Sequence, residues 1–161
     1  MQSADYQKLM AQLRRDEGSV RDAHGNHIAY RCPAGALTIG YGHNLDAGPV
    51  PGLGETSAIS EAEAEIILSR DAQAVIAALG SALPWTSILM VHEPARHAAL
   101  VNMAFNMGVA GLLGFKTTLE LVRVGDYRNA AAALRKNRKW FGQVGGRAKR
   151  LAAQIETGVW Q

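Results

Sequence analysis

The strongest constraint on the fold of this chain is a crowding of glycines and prolines between residues 19 and 56. Ten such residues stand there: Gly25, Gly35, Gly40, Gly42, Gly48, Gly52, Gly54, Pro33, Pro49 and Pro51. Both residue types interrupt regular helices and strands and favour turns. Two short runs, Ile28–Cys32 and Leu37–Tyr41, are joined by a Pro-Ala-Gly turn and predict strands of a small antiparallel sheet. We therefore expect a loop-rich lobe with a β-hairpin.

A helical pattern precedes this lobe and another follows it. Within residues 4–16 the apolar side chains recur at the spacing of one helix stripe, and Gly18 supplies the stop. These side chains are Tyr6, Leu9, Met10 and Leu13. Ser60, with Glu63 three positions later, forms a capping box that predicts a helix over about residues 61–79. Its expected inward-facing residues are Ala64, Ile67, Leu68, Val75 and Leu79.

The chain from Pro94 onward is alanine-rich and helical in period, with interrupting glycines, and predicts several short helices in a compact bundle. Four aromatic residues are expected in its core: Phe105, Phe115, Trp140 and Trp160. A length of 161 residues suits one domain. We predict an α+β architecture with a small β-rich lobe (about 18–60), a long connecting helix (about 61–80) and a larger helical lobe (1–17 with 81–161). A cleft is expected where the lobes meet.

Composition excludes several classes of protein. Hydrophobic residues make up 48% of the chain and charged residues 19%, which argues against intrinsic disorder and against a coiled coil. No apolar stretch has membrane-spanning length, and the first twenty residues carry six charged side chains and no secretory signal. The single cysteine, Cys32, allows neither an internal disulfide nor a thiolate-rich zinc site. The histidines lack metal-ligand spacing, so we expect no metal and no other cofactor.

Positive charge is concentrated towards the end of the chain. Residues 122–161 hold nine of the 17 basic side chains and two acids, a net charge of +7, whereas the other 121 residues sum to −4. The basic side chains are Arg123, Arg128, Arg135, Lys136, Arg138, Lys139, Arg147, Lys149 and Arg150. Such a region suits an anionic polymer, whether nucleic acid, teichoic acid, lipopolysaccharide or the peptide carboxylates of a bacterial wall. The alternative is a solvated helix face without a partner.

Candidate catalytic groups lie at the start of the loop-rich lobe. Glu17 ends the first predicted helix, Cys32 ends one predicted strand, and Thr38 lies in the next. A glutamate partly shielded from water keeps its proton near neutral pH and can donate it to a leaving oxygen. Taken singly, Glu17 could be a solvated acid, Thr38 a strand residue and Cys32 a small buried apolar residue. Together the three indicate a hydrolytic site.

Several motifs in a fixed order resemble one known family. In the first half these are Leu13–Gly18, Ala29–Gly35 and Thr38–His43. In the second half they are Arg96–Gly108, Gly114–Phe115, Arg147–Arg150 and Thr157–Trp160. With these motifs nearly the whole chain resembles the phage-type lysozymes or endolysins, the T-even phage type of glycoside hydrolase family 24. The resemblance implies a lysozyme-like fold, a monomer, and a muramidase that cleaves the β-1,4 bond between N-acetylmuramic acid and N-acetylglucosamine in peptidoglycan.

The resemblance also implies roles for individual residues. Glu17 matches the catalytic glutamate of the family, which acts as general acid, and Thr38 matches a threonine that helps to hold the attacking water. Cys32 falls where many members have an aspartate. His43 and Asp71 match a buried ion pair that supports the small lobe.

Three residues of the helical lobe complete the set of substrate-binding or supporting positions. Arg147 matches an arginine that neighbours the catalytic glutamate, and Asn106 falls where a glutamine lines the cleft. Phe105 precedes Asn106 in the same motif.

Two departures from the family pattern bear on mechanism. Glu17 and Cys32 are 15 positions apart, and the extra residues around Asp22–His27 predict a longer hairpin tip. An unperturbed thiol, with a pKa near 8.5, is mostly neutral at pH 7, so Cys32 needs activation to replace a carboxylate. Cys32 could be a general base for a water held by Thr38, a nucleophile that forms a glycosyl intermediate, or a spectator. We favour a base or electrostatic stabiliser.

The favoured function is that of an endolysin that hydrolyses peptidoglycan at the end of infection. It would wait in the host bacterial cytoplasm and reach the periplasm and wall by holin-dependent release, and the basic 123–150 region could hold it to anionic cell-envelope polymers. The alternatives are a lytic transglycosylase, in which the muramic acid 6-hydroxyl attacks, and a non-catalytic wall-binding module. Nucleic-acid binding is not expected, because the basic residues form no recognition-helix motif.

Overall fold

The structure is a computed structural model that describes all 161 residues, and it has the predicted α+β composition with eight helices and five short strands. The helices are α1 (Ser3–Glu17), α2 (Glu61–Ala82), α3 (Thr86–His92), α4 (Pro94–Leu113), α5 (Lys116–Arg123), α6 (Tyr127–Lys136), α7 (Arg138–Val144) and α8 (Gly146–Thr157). The strands are β1 (His27–Ile28), β2 (Tyr30–Arg31), β3 (Leu37–Ile39), β4 (His43–Asn44) and β5 (Ala58–Ile59). The strands therefore all lie in the glycine-rich segment.

The chain divides into two compact units. The small unit consists of residues 13–73, and the helical unit consists of residues 1–12 and 74–161. Both boundaries fall inside helices, one within α1 and the other within α2.

Two antiparallel sheets form the small unit, where the sequence predicted one hairpin. β2, β3 and β4 make a three-stranded sheet, and β1 pairs with β5. The predicted strand Ile28–Cys32 is broken at Ala29, whose N–H donates to the Ser57 carbonyl at 2.9 Å instead of to a sheet partner. β3 ends at Ile39 instead of at Tyr41, because Gly40 and Gly42 adopt positive φ angles of 63° and 81° in a turn.

The predicted longer hairpin tip around Asp22–His27 is a closed turn. Arg21 and His27 form an antiparallel bridge, and the Asp22 carboxylate accepts the N–H groups of His24 and Asn26 at 2.8 and 2.9 Å. The inserted residues therefore satisfy their own polar groups locally.

The capping box that predicts α2 is confirmed. The Ser60 N–H donates to Glu63 Oε2 at 2.8 Å, and the Glu63 N–H lies 3.3 Å from Ser60 Oγ. The helix then continues to Ala82, three residues past the predicted end. The inward-facing residues are buried as expected except Val75, which is half-buried.

The helical unit packs around small and branched aliphatic side chains. α8 packs against α6, α4 and α7, and α5 packs against α6. The longest helix of this unit, α4, is interrupted at Gly108, whose φ of 76° and ψ of 156° are not helical. Fully buried residues are Leu100, Met103, Leu112, Leu134, Leu151 and Ile155.

The aromatic core of the helical unit is smaller than predicted. Trp140 is 5% exposed and stacks edge-on against Phe115 and Phe141. Phe105, Phe115 and Trp160 are only half-buried. Alanine and leucine side chains fill the spaces between these short helices, and Trp140 is the one large ring that is buried among them.

No single helix of the structure is long and apolar enough to cross a membrane.

Candidate active site

Glu17 is the last residue of α1, and a turn of the sheet lies against its carboxyl group. The helix stops there because Gly18 takes a positive φ of 65°, and its N–H donates to the Arg14 carbonyl at 3.0 Å. A side-chain carbon on Gly42 would stand 3.3 Å from Glu17 Oε2 and 3.8 Å from Glu17 Cβ. Gly42 therefore permits a close approach of main chain to Glu17 as well as the positive φ of its turn.

Cys32 begins a tight turn whose main chain faces its sulfur. The Cys32 N–H donates to the Ala36 carbonyl at 3.0 Å, and the Gly35 N–H donates to the Cys32 carbonyl at 2.7 Å. The N–H of Ala34 is the main cause of a lowered pKa for the Cys32 thiol, and the N–H groups of Ala36 and Gly35 act in the same direction against a desolvation penalty. The thiol is therefore more acidic than an ordinary cysteine, as its proposed use requires.

Thr38 is 4% exposed in the middle of β3 and contacts the same turn. Its hydroxyl lies 3.1 Å from the Ala36 carbonyl, and it also contributes a hydrogen bond that lowers the pKa of Cys32. A hydroxyl has one proton to donate. When Cys32 is a thiolate, the Thr38 proton can turn from the Ala36 carbonyl to the sulfur.

Tyr30 is a member of this site that sequence reasoning missed. Burial is the main cause of its raised pKa, and the charges of Cys32 and Glu17 raise it further. Glu17 and Cys32 thus lie close enough to one half-buried phenol for both to affect its ionisation. The position of Tyr30 two residues before Cys32 in an extended segment is the signal that could have identified it, because alternate side chains share a face.

His43 and Asp71 are in contact within the small unit. His43 Nδ1 lies 2.7 Å from Asp71 Oδ2, and His43 Nε2 lies 2.7 Å from the Gly48 carbonyl oxygen. Both ring nitrogens face acceptors, so only the doubly protonated ring donates to both. The side chain of His43 is 8% exposed, and that of Asp71 is 24% exposed.

A second carboxylate of α2, Glu61, is the centre of a network that the sequence did not predict. Tyr41 donates its hydroxyl proton to Glu61 Oε1 at 2.5 Å, and Arg21 Nη2 and His27 Nε2 lie 2.6 and 3.1 Å from Glu61 Oε2. The Tyr41 hydrogen bond is the largest cause of the low pKa of Glu61, which is about 2. These partners are separated by 20 to 40 positions in the chain, so no local pattern links them.

Arg147, Phe105 and Asn106 lie in the helical unit. Arg147 is 7% exposed, and its guanidinium donates to the side-chain oxygen of Asn102 at 2.7 Å and to the Asn102 carbonyl at 3.0 Å. Asn102 is fully buried and was not predicted as a site residue. Phe105 is half-buried and Asn106 is exposed on α4, within one turn of Asn102.

The structure contains no group of three or more His, Cys, Asp or Glu side chains arranged to hold a metal ion.

Comparison with known proteins gives several related sequences. The chain is 30% identical over 162 residues to the pre-baseplate central spike protein Gp5 of Enterobacteria phage T4, which covers 91% of this chain and 27% of that protein. It is 34% identical over 110 residues to the endolysin of Acyrthosiphon pisum secondary endosymbiont phage 1, covering 67% and 66%. It is 31% identical over 101 residues to "Probable T4-type lysozyme 1" of Dictyostelium discoideum, covering 63% and 59%.

The chain thus spans between 27% and 66% of the length of these relatives. The sequence model of one family, described as phage lysozyme, matches residues 22–154. That match covers both sheets, helices α2 to α7 and α8 up to residue 154. Two of the relatives carry lysozyme or endolysin names. On this evidence the chain belongs to the phage lysozyme family.

Proposed function

We propose that this protein is an endolysin-type muramidase that hydrolyses the β-1,4 bond between N-acetylmuramic acid and N-acetylglucosamine in peptidoglycan. The observation that carries the proposal is the placement of three candidate groups in one unit: Glu17 ends α1 beside the turn at Gly42, and Cys32 and Thr38 lie at one turn of the neighbouring sheet. Family membership supports the substrate class.

In the proposed step Glu17 is the acid and Cys32 the base. The Glu17 carboxyl proton moves to the glycosidic oxygen as the bond from that oxygen to the muramic acid C1 breaks. Water forms the new bond to C1 and gives one proton to the Cys32 thiolate, while Thr38 orients the water. Glu17 ends as a carboxylate and Cys32 as a thiol, and exchange of protons with solvent restores both.

We propose hydrolysis over transglycosylation because the resemblance implies that Thr38 helps to hold the attacking water, and a reaction in which the muramic acid 6-hydroxyl attacks uses no such water. The remaining site residues are proposed in the roles that the resemblance implies. His43 and Asp71 support the small unit, and Phe105, Asn106 and Arg147 bind substrate or support the site.

Mass spectrometry of the fragments released from purified Gram-negative peptidoglycan tests this proposal. Wild type should release fragments with reducing N-acetylmuramic ends, and Glu17→Gln should release none. Glu55→Gln is the matched control, since Glu55 is an exposed carboxylate of the same unit and should keep full activity. Anhydromuramic ends would assign a transglycosylase, and no fragments from wild type would leave a wall-binding module.

Two substitutions at Cys32 separate its possible roles. Cys32→Asp should retain activity and Cys32→Ser should lose most of it, because a serine hydroxyl does not ionise near neutral pH. Equal activity of Cys32→Ser and wild type would make the thiol a spectator. NMR of the first-formed anomer then distinguishes a base, which gives inversion, from a nucleophile, which gives retention.

A second surface supports the proposed wall target. Five exposed cations in the region 123–150 have no carboxylate partner in the structure, whereas Arg123 and Arg135 pair with Glu120 and Glu156. The five are Arg128, Lys136, Arg138, Lys139 and Lys149. We propose that they bind anionic cell-envelope polymers after holin-dependent release from the host cytoplasm.

Sedimentation with purified walls tests this surface. Replacing Lys136, Arg138 and Lys139 with Gln should weaken binding and flatten its salt dependence, because fewer charges then attract the polymer. Arg123→Gln, at an already paired cation, is the control. Equal salt dependence in both variants would contradict the proposal.

A further inference from the structure

The turn that lies beside Glu17 is fixed on both sides by buried side chains. This turn, residues 40–42, connects β3 to β4, and Gly42 is its point of approach to the Glu17 carboxyl group. Tyr41, inside the turn, is 7% exposed, and His43, directly after it, is 8% exposed. A displacement of either side chain would carry Gly42 with it.

Both fixing contacts end on α2. The Tyr41 hydroxyl donates to Glu61 Oε1 at 2.5 Å, and His43 Nδ1 lies 2.7 Å from Asp71 Oδ2. The two carboxylates are ten residues apart, or about 15 Å along a helix that rises 1.5 Å per residue. Contacts so far apart restrain tilting of the turn as well as its translation, which neither contact could do alone.

Glu61 is itself held in place. Arg21 donates to its Oε2, His27 contacts the same oxygen, and the His27 ring stacks edge-on against Tyr41 with centroids 4.8 Å apart. His27 is fully buried, so the network has a rigid inner wall although half of the Glu61 side chain is exposed. At the first turn of α2 the helix dipole also favours a negative charge.

We propose that Glu61 is a positioning residue for the reaction, which acts through the Tyr41 hydroxyl to hold the main chain of Gly42 against the carboxyl group of Glu17. Glu61 touches no reacting atom in this arrangement. It fixes one wall of the space around the acid, and this inference rests on the proposed role of Glu17 as general acid. The contribution is made at the transition state, where the direction of the acidic proton matters most.

Two readouts on three variants test the proposal. Tyr41→Phe removes the donor, Glu61→Ala removes the acceptor, and Glu61→Gln keeps an oxygen that can accept the Tyr41 proton. Glu63→Ala is the matched control, because Glu63 occupies the same turn of α2 and its carboxylate hydrogen-bonds to Ser60 instead of to Tyr41. The readouts are kcat and KM on soluble peptidoglycan fragments, and hydrogen exchange at the Gly42 and His43 amides.

We expect kcat to fall about tenfold in Tyr41→Phe and Glu61→Ala while KM stays within about twofold. Amide exchange at Gly42 and His43 should rise about tenfold in the same two variants. Glu61→Gln should recover most of kcat. The double variant should be no worse than either single one, since both remove the same bond.

Several results would overturn the inference. Wild-type kcat in folded Tyr41→Phe and Glu61→Ala would do so, as would an equal loss of kcat in Glu63→Ala, which would indicate a general loss of stability. Faster exchange with unchanged kcat would mean that the hydrogen bond between Tyr41 and Glu61 stabilises the turn but does not contribute to the reaction. If wild type cleaves no peptidoglycan, the proposed function fails, and unchanged exchange in Tyr41→Phe would then separately show that Glu61 does not fix the turn.

Discussion

The contacts inside the helical unit differ in kind from the contacts inside the small unit. In the helical unit, α4, α6 and α8 bury aliphatic side chains such as Leu100, Leu134 and Leu151 against one another. In the small unit no strand exceeds three residues, and carboxylates of α2 fasten the sheet through Tyr41 and His43. Apolar contacts are numerous but non-directional, whereas each hydrogen bond fixes an angle and a distance. Both units have a buried apolar core, and in the small unit the contacts of α2 with Tyr41 and His43 add directional constraints near Glu17.

The largest effect is expected from a core substitution in the helical unit. Leu134→Ala removes a fully buried side chain of α6 and should lower the free energy of unfolding by about 2–5 kcal/mol, through lost burial and the cavity left behind. Urea unfolding measures the change. Val124→Ala, at a side chain that is 58% exposed, should stay within about 0.5 kcal/mol. Similar losses in both variants would contradict the assignment of Leu134 to a tightly packed core.

His97 is a buried titratable residue of the helical unit and gives the stability of that unit a pH dependence. It is 2% exposed, and burial is the main cause of its pKa of about 4, with the positive N-terminal amino group adding to the effect. An unfolded histidine titrates near 6.5, so the unfolded chain binds a proton between pH 6.5 and 4 that the folded chain does not. This contribution to stability is complete above pH 6.5 and is lost as the pH falls towards 4, by about 3 kcal/mol at most.

Urea unfolding of His97→Leu across this pH range checks the prediction. The slope of stability between pH 6.5 and 4 should become shallower than in wild type. His92→Gln is the control, because His92 is exposed and should leave the slope unchanged. Equal slopes in wild type and His97→Leu would mean that other groups cause the acid sensitivity.

Substitutions at two glycines distinguish the effect of backbone strain from the effect of contact with Glu17, the proposed acid. Gly42 and Gly52 have φ angles of 81° and 83°, but only Gly42 has a neighbour where a side chain would stand. Gly42→Ala and Gly52→Ala should each lose about 1–2 kcal/mol of stability from the left-handed backbone. Only Gly42→Ala should also reduce kcat, since its new methyl group would press on Glu17. A full kcat in Gly42→Ala would argue that the turn does not constrain Glu17.

The smallest effect is expected at a charged pair of the helical unit. Arg123 and Glu120 lie one turn apart on α5 and are both well exposed. Arg123→Gln should leave the urea midpoint unchanged within error, because water and salt screen such pairs. A clear loss would show that an exposed ion pair stabilises the helical unit and would weaken the contrast between the units.

Local patterns predicted the helices better than the sheets. The capping box of Ser60 and Glu63 gave the start of α2, because both partners of each bond lie within one turn. The strands were predicted too long. The alternation of side chains does not show that the Ala29 N–H donates to the distant Ser57 carbonyl, which breaks the predicted strand. β5 was missed for the same reason: its partner β1 lies about 30 residues earlier in the chain.

The site was predictable where motifs mark it and not where distant residues meet. Glu17, Cys32 and Thr38 were proposed from the sequence and its resemblance, and the structure places Cys32 and Thr38 at one turn. In the sequence Glu61 is one of two acids in the first turn of a helix, and Asn102 is a polar residue in an apolar helix, so neither is marked by a local pattern. Only tertiary packing brings Tyr41 and Arg147 to them.

The Cys32 turn also allows the intact candidate sites in a preparation to be counted by chemical labelling. Because Cys32 is the sole thiol of the chain, a coloured alkylating reagent can attach only once per molecule, at the position proposed to activate water. A lowered pKa increases the thiolate fraction near neutral pH, and unfolding changes both that fraction and the access to the sulfur, so loss of the turn should change the rate of labelling. The fraction of the dye taken up at the rate of the folded protein then gives the fraction of a preparation with an intact site. A glycan fragment that delays labelling would report its own occupancy before any product is formed.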